Sequence, residues 1–340
     1  MPSTNSDNEN HTNYYICHTP YHFYQASLIA RQYFHKDINI AIIEGDAKTK
    51  TDFVFKKTIR LAYVGGSVFK AYNKIEKSVD AIVREIDNVP LSRIFLSDIA
   101  WPLCNRIYFN RNLNKCEFNF LSDGVAAYLD KKRSTKQLAK DTLKGLLSNI
   151  FITSKYKNFY GHALGYDHAK AKGFYVPNPS IIKYAVNNTH EVKLSQTLPQ
   201  KIQDTEKNIL FLDQPFWLLM ENSWPQKIER TIKHIKTQFP EHNLFFKKHH
   251  RSRENESILF SKNGFKELEN NYCIEELVFE RKYDVIISFY SSALLHLRWI
   301  LPKDTILISL TDNEIIEKLS INSELTNLYK QNDITTEHLI

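Results

Sequence analysis

Short apolar runs that end in polar residues alternate with longer amphipathic stretches along most of this chain, and this alternation constrains its fold more than any other feature. Each strand-like run is followed by a stretch whose apolar residues recur at helical spacing. The rhythm is lost at residues 155–205, where prolines stand among polar residues, and it restarts at residues 208–212. Strands that alternate with helices indicate parallel sheets with helices on both faces.

We therefore predict an α/β protein with two Rossmann-like domains, since a chain of 340 residues is long enough for two hydrophobic cores. The polar residues 1–13 form a disordered lead-in with no signal-peptide pattern, and the domains cover residues 14–200 and 201–340. The tail after the last predicted strand is polar and helical in pattern. The predicted strands are 14–17, 38–43, 61–64, 93–98 and 118–121 in the first domain, and 208–212, 243–246, 284–289 and 305–310 in the second.

Charge and composition narrow the class of protein. The formal charge is +7, but the basic residues are spread along the chain, which fits an anionic ligand or an anionic membrane surface better than a nucleic acid. No apolar run reaches 18 residues, and the four widely spaced cysteines are typical of buried, reduced thiols in a cytoplasmic protein. The pair Gly65–Gly66 lacks a dinucleotide or P-loop pattern around it, so neither fingerprint is present.

The strongest candidate for catalysis is Asp123, which stands at the end of the apolar run 118–121 and before Gly124. A buried strand followed by an Asp-Gly turn would present this carboxylate at the sheet edge, where open α/β sheets bind ligands. Asp98 ends another strand and is a weaker candidate. The alternative is a simple turn that caps a helix beginning at Val125.

The loop after the first strand is a candidate acceptor site. Thr19, Pro20 and His22 lie at the carboxyl end of that strand, and His18 stands beside them. Their position at the ligand-binding edge suggests that they hold an acceptor or a leaving group. The alternative is that these residues pack and hydrogen-bond within the loop.

Two further clusters follow strands of the second half. Residues 247–251 read Lys-Lys-His-His-Arg directly after a strand, which would suit an anion, although a solvated charge run is the alternative. Ser291 and Ser292 open a helix after another strand, where free N–H groups and hydroxyls can bind phosphate. The alternative for the serines is an ordinary helix N-cap.

The order of these motifs resembles bacterial sialyltransferases of the lipooligosaccharide and polysialic-acid groups, which have the GT-B fold. Ser122-Asp123-Gly124 resembles their acidic-acidic-glycine motif, Lys247 to His250 their His-Pro motif, and Ser291-Ser292 their Ser-Ser motif. Glu276 resembles the glutamate that such enzymes present to the nucleotide ribose. The chain departs from the pattern at Ser122, where an acid is replaced, and at His250, where the proline is replaced.

The resemblance implies two Rossmann-like domains that face each other across a cleft and an inverting, metal-independent transfer of sialic acid from CMP-sialic acid. Asp123 would be the base, and His249 would stabilise the leaving phosphate. The remaining nucleotide-binding residues would be Lys247, His250, Glu276, Ser291 and Ser292. The resemblance implies no cofactor, since CMP-sialic acid is the donor substrate.

The acceptor would be a hydroxyl of an anionic surface glycan or glycolipid, such as lipooligosaccharide or capsule, and the basic surface fits peripheral association with the inner membrane. Two other functions remain open. One is a GT-B transferase with another donor, such as CMP-Kdo or a UDP-hexose. The other is a noncatalytic glycan-binding or capsule-assembly protein.

Overall fold

The computed structural model describes residues 11–62, 68–87, 89–151, 156–194, 206–215, 220, 223–249, 251–318 and 323–339. The chain divides into two compact units, Met1–Lys193 and Leu194–Ile340. The predicted domain boundary at residue 200 and most of the predicted lead-in lie outside the described residues. Thr12 and Asn13, which we expected in the lead-in, instead belong to the first strand, where Asn13 Nδ2 donates a hydrogen bond to Asn39 Oδ1 across 3.0 Å.

The described residues of unit 1 form a parallel sheet with the strand order β3-β2-β1-β4-β5-β6-β7. The strands are β1 (Thr12–Cys17), β2 (Ile38–Glu44), β3 (Lys57–Leu61), β4 (Ser92–Leu96), β5 (Glu117–Leu121), β6 (Ala171–Val176) and β7 (Thr189–Glu191). The helices are α1 (Pro20–Tyr33), α2 (Val68–Asp87), α3 (Pro102–Tyr108) and α4 (Thr135–Phe151). Every residue of β1 is buried, as expected for a central strand with both faces covered.

Unit 2 repeats this architecture with a second parallel sheet in the order β10-β9-β8-β11-β12-β13. The strands are β8 (Asn208–Leu212), β9 (Asn243–Lys247), β10 (Lys266–Glu267), β11 (Val285–Ser288), β12 (Ile306–Thr311) and β13 (Thr335–His338). The helices are α5 (Trp224–Gln238), α6 (Glu254–Lys262), α7 (Ile274–Leu277), α8 (Ser292–Ile300), α9 (Asn313–Lys318) and α10 (Ser323–Gln331). Its core packs β8 and β11 against α5 and α6 through Phe211, Ile228, Phe260 and Ile287.

Several strands differ from the predicted ones or lie where no strand was predicted. The third strand is β3, which ends at Leu61, where we expected that strand to begin, and residues 63–64 of the expected strand lie outside the described residues. β13 lies in the tail that we expected to be helical. β6 and β7 extend the first sheet within the segment that we expected to be irregular. β3, β7 and β13 lie at sheet edges and are largely exposed, so they lack the apolar run by which a buried strand is recognised.

The four cysteines are buried and form no disulfides, as predicted. No helix among the described residues combines the length and the apolar character that a membrane span requires.

Candidate functional site

The carboxyl ends of β1, β4 and β5 lie side by side in unit 1, because these three strands are neighbours in a parallel sheet. His18 to His22 follow β1, Asp98 follows β4, and Asp123 follows β5. Residues separated by up to 105 positions are thereby brought to one edge. This is the edge at which open α/β sheets bind ligands.

Asp123 is held in place but remains accessible at this edge. Gly124 has a φ of +55°, a conformation that glycine adopts readily, and it turns the chain immediately after the carboxylate. The backbone N–H of Asp123 donates to the buried Tyr166 hydroxyl across 2.8 Å. His22 Nε2 lies 3.2 Å from Asp123 Oδ1, and the Asp123 side chain is 45% exposed. The side chain of Asp123 makes no N-cap hydrogen bond to the short 3-10 helix Gly124–Tyr128, so it does not act as the helix cap that the alternative interpretation requires.

The two neighbouring polar groups are arranged differently. Ser122 is fully buried, and its hydroxyl accepts a hydrogen bond from Gln25 Nε2 across 2.6 Å. Asp98 is also buried, and its oxygens accept from the Trp101 N–H and the Ser97 hydroxyl. Burial, followed by the charge of Asp123, raises the pKa of Asp98. These contacts indicate a structural role for Asp98, which leaves Asp123 as the accessible carboxylate of the two candidates.

The predicted acceptor residues form the start of α1. The Thr19 hydroxyl accepts from the His22 N–H across 3.2 Å as an N-cap, and Pro20 occupies the first turn. His22 itself is 3% exposed and points its Nε2 at Asp123. The structure thus brings His22 to the candidate base, whereas the Thr19 hydroxyl caps the helix.

In unit 2, the carboxyl ends of β9, β8 and β11 are adjacent. Lys247 ends β9, His249 follows it, and Ser291 and Ser292 follow β11, whereas Glu276 lies in α7 between β10 and β11. Lys247 is buried at the end of β9, where its ammonium donates to the backbone and side-chain oxygens of Asn270. Burial lowers the pKa of Lys247 to about 8, so the group remains mostly cationic at neutral pH.

His249 lies two residues further along and is half-buried. Its Nδ1 accepts a hydrogen bond from the Arg251 N–H across 3.1 Å, which in the neutral ring leaves the proton on Nε2. This tautomer makes Nε2 a hydrogen-bond donor, as an anion site requires. His250 lies outside the described residues, so its assignment stays a prediction.

The remaining candidates lie around α7 and α8. Ser291 is the N-cap of α8, and its hydroxyl accepts from the Ala293 N–H across 3.3 Å, while Ser292 is the first helical residue. Tyr290 before them has a φ of +40°, which is strained for a residue with a side chain. Glu276 is buried in α7, and its Oε2 accepts a hydrogen bond from the Cys273 thiol across 3.7 Å.

Comparison with known proteins decides the family. The model of the family Alpha-2,8-polysialyltransferase (POLYST) matches residues 13–310, which is most of the chain. The chain belongs to this polysialyltransferase family. A search of curated proteins finds no match.

Solved structures similar to this polysialyltransferase-family chain show the GT-B fold that we predicted. An alpha/beta-galactoside alpha-2,3-sialyltransferase from Photobacterium phosphoreum has 14% identity and a TM-score of 0.52, with 96% of this chain and 98% of that chain covered. A sialyltransferase from Photobacterium damselae has 13% identity and a TM-score of 0.50, with 96% and 99% covered. An alpha,alpha-trehalose 6-phosphate synthase from Burkholderia multivorans has 6% identity and a TM-score of 0.50, with 95% and 90% covered.

The family membership makes this protein a glycosyltransferase of the sialyltransferase type, with a nucleotide sugar as donor and a glycan as acceptor. The resemblance and the enzyme class expected from the sequence are thereby confirmed. The likeness to the solved structures supports the fold alone, because their identities are low.

The structure adds three residues of this polysialyltransferase-family chain to the candidates named from the sequence: Glu44, Cys104 and Asp213. In unit 1, His18 bridges Glu44 at 2.8 Å and the Cys104 sulfur at 3.0 Å. Glu44 ends β2 at the same edge, and that position was the one available signal. In unit 2, Asp213 follows β8, between the strands that carry the two predicted clusters. Its Oδ2 is buried and makes no contact in the described part of the chain that has hydrogen-bond geometry, although, against the larger effect of burial, the nearby Ser252 side chain lowers the pKa of Asp213.

Asp213 makes stability depend on pH. Burial raises its pKa to about 7, so over roughly pH 4 to 7 the folded state keeps a proton that the unfolded chain releases. The stability associated with this proton is present at low pH and is lost as the pH rises to about 7. The free energy of unfolding of Asp213→Asn, relative to that of the parent protein, should therefore be about 3 kcal/mol higher at pH 8 than at pH 5, because asparagine cannot ionise.

Urea unfolding of both proteins at pH 5 and pH 8 measures this difference, and the exposed Asp304→Asn serves as the control. Equal pH dependence of the parent and Asp213→Asn would show that Asp213 ionises normally in the folded protein.

Proposed function

We propose that this protein transfers sialic acid from CMP-sialic acid to a hydroxyl of a bacterial surface glycan, lipooligosaccharide or capsule, by an inverting and metal-independent reaction. The observation that carries the proposal is the placement of Asp123. It is an accessible carboxylate at the ligand-binding edge of unit 1, and it is oriented by His22 and by Tyr166.

Asp123 acts as the general base in this reaction. The acceptor hydroxyl loses its proton to the carboxylate as its oxygen forms the new bond to the anomeric carbon of the donor sugar. The bond between that carbon and the CMP phosphate breaks at the same time, and its electron pair goes to the phosphate oxygen. Attack opposite to the leaving group inverts the anomeric configuration.

Unit 2 stabilises the departing CMP. The Nε2 of His249 donates a hydrogen bond to the phosphate, and Lys247 adds positive charge beneath it. The first turn of α8, with Ser292 at its start, offers backbone N–H groups to the same anion. These fixed donors and cations provide the charge stabilisation that a divalent metal supplies in other transferases. Glu276 accepts hydrogen bonds from the ribose hydroxyls, and His250 assists His249.

The loop from Thr19 to His22 borders the acceptor hydroxyl, with Pro20 fixing the start of α1. The formal charge of +7 favours an anionic acceptor at the cytoplasmic face of the inner membrane, with the enzyme bound peripherally.

Calorimetric titration with CMP, CDP and UDP, with EDTA and then with Mg²⁺, tests the donor assignment. We expect CMP to bind more tightly than UDP by about tenfold or more, with the same affinity in EDTA, because the phosphate contacts come from protein groups. Preferential binding of UDP would instead indicate a UDP-hexose donor. Loss of CMP binding in EDTA would contradict metal independence, and binding of none of the three would favour a noncatalytic role.

A further inference from the structure

Unit 1 contains a second concave site close to the candidate base. It is a cavity of about 690 Å³ whose walls come from residues 100–106, 126–134 and 156–164, together with Asp141 of α4. Ala126 lies three residues after Asp123, and Ala100 lies two residues after Asp98. The cavity therefore belongs to the same sheet edge as the candidate base, and its volume is within the range of small-ligand sites.

The walls of this cavity carry excess positive charge. Among the lining residues that the structure describes, four side chains are cationic and one, that of Asp141, is acidic. Arg106 and Arg133 are buried, and Lys131 and Lys132 are exposed. Burying guanidinium groups is costly unless anions or acceptors compensate them. One carboxylate does not balance four cations, so the cavity favours an anionic occupant.

Arg133 is the residue most clearly prepared for a ligand. Its side chain is 2% exposed, its Nη2 is paired with Asp141, and its guanidinium carbon lies 4.0 Å from the centre of the Phe159 ring. These contacts fix the guanidinium group. The Tyr156 hydroxyl also approaches the guanidinium group, but the other two nitrogens, Nε and Nη1, are buried and make no contact within the described residues that has hydrogen-bond geometry. A buried, charged N–H group without an acceptor is strongly unfavourable, which calls for an acceptor from outside the chain.

We propose that this cavity, the Arg133 pocket, binds a carboxylate or phosphate of the acceptor glycan, on a sugar unit next to the one that carries the attacking hydroxyl. The pocket is in unit 1 with Asp123, whereas the predicted nucleotide-binding residues are all in unit 2. The occupant therefore belongs to the acceptor and not to the donor. Arg133 is a specificity residue in this assignment, and Asp141 and Phe159 position it. The assignment of the occupant to the acceptor rests on the proposed function, whereas the binding of an anion does not.

The first test uses the unmodified protein without donor. A sialic-acid-terminated oligosaccharide, its carboxyl-reduced analogue and a phosphate-bearing analogue of the same length are titrated at two salt concentrations. We expect at least one anionic oligosaccharide to bind about 10- to 100-fold more tightly than the neutral analogue, with an affinity that falls as salt rises. A preference for the carboxylate or for the phosphate identifies the source of the charge. Equal affinity for all three would overturn the proposal.

The second test compares Arg133→Gln and Lys132→Ala with Lys172→Ala, which removes an exposed cation of the same unit that does not line the cavity. We expect Arg133→Gln to abolish the preference for the anion, and Lys132→Ala to weaken it while leaving the fold intact because Lys132 is exposed. In transfer assays, KM for the anionic acceptor should rise about 10-fold or more while kcat and the KM of the neutral acceptor change little. Equal changes for both acceptors would contradict a specificity role.

The two proposals fail in different ways. If the protein binds anions through Arg133 but transfers no sugar, the pocket proposal is supported and the proposed function is contradicted. If the protein transfers sugar equally well to charged and neutral acceptors, the proposed function is supported and the pocket proposal is contradicted.

Discussion

Replacing Asp123 by asparagine is expected to lower kcat for sugar transfer by about 10²- to 10⁴-fold, the usual contribution of a general base. Asparagine keeps the shape of the side chain and an oxygen that can accept from His22, so the fold and the turn at Gly124 should persist. What it loses is the ability to take the acceptor's proton. Initial rates with saturating CMP-sialic acid, measured together with calorimetric CMP affinity, separate this loss from a binding defect.

Asp46→Asn is the matched control for this experiment. Asp46 is an exposed aspartate that follows β2 at the same edge of the same sheet. Its change should alter kcat by less than about twofold, as is usual for exposed substitutions away from a site. Asp123→Asn with parental activity would disprove the assignment of the base and would favour the noncatalytic interpretation.

Replacing His249 by alanine is expected to lower kcat by about 10²- to 10³-fold, the typical cost of losing one donor that stabilises a developing negative charge. The bond from the Arg251 N–H to Nδ1 leaves Nε2 as the donor, and alanine removes that donor. CMP should also bind more weakly to the variant, because the phosphate loses a hydrogen bond. Single-turnover rates and CMP titrations measure the two effects separately.

His242→Ala serves as the control, since His242 precedes β9 and so lies at the opposite edge of the sheet from His249. Its ring packs against Phe239, so a modest loss of stability with an unchanged rate is expected. If His249→Ala keeps its rate and His250→Ala does not, the phosphate donor is one residue further along the chain than we propose.

The alternation of elements and the positions of the main motifs could be predicted from the sequence because both are local properties. A buried central strand is a continuous apolar run, so β1, β5, β8 and β11 were recognisable without knowing their neighbours. The turn at Gly124 follows from the chemistry of glycine alone. Once parallel strands are inferred, the ligand-binding edge follows too, which is why Asp123 and the residues after β9 could be named as candidates.

The contacts that these residues make with distant parts of the chain depend on tertiary structure. His22 and Asp123 are 101 positions apart, Gln25 and Ser122 are 97 apart, and their pairing depends on the strand order β1-β4-β5. A sequence pattern does not specify which strands become neighbours, because apolar runs are interchangeable in their hydrophobic character.

Burial of charge is likewise decided only by packing. Asp213 and Arg133 look like surface residues in the sequence, yet the first has a pKa raised to about 7 and the second lies under Phe159 with two nitrogens unpaired in the described structure. The sequence by itself determined the two α/β units and the strand ends that carry the catalytic candidates. The tertiary structure decided which carboxylate stays accessible, which charges are buried and where the Arg133 pocket forms, because those properties depend on groups brought together from distant parts of the chain.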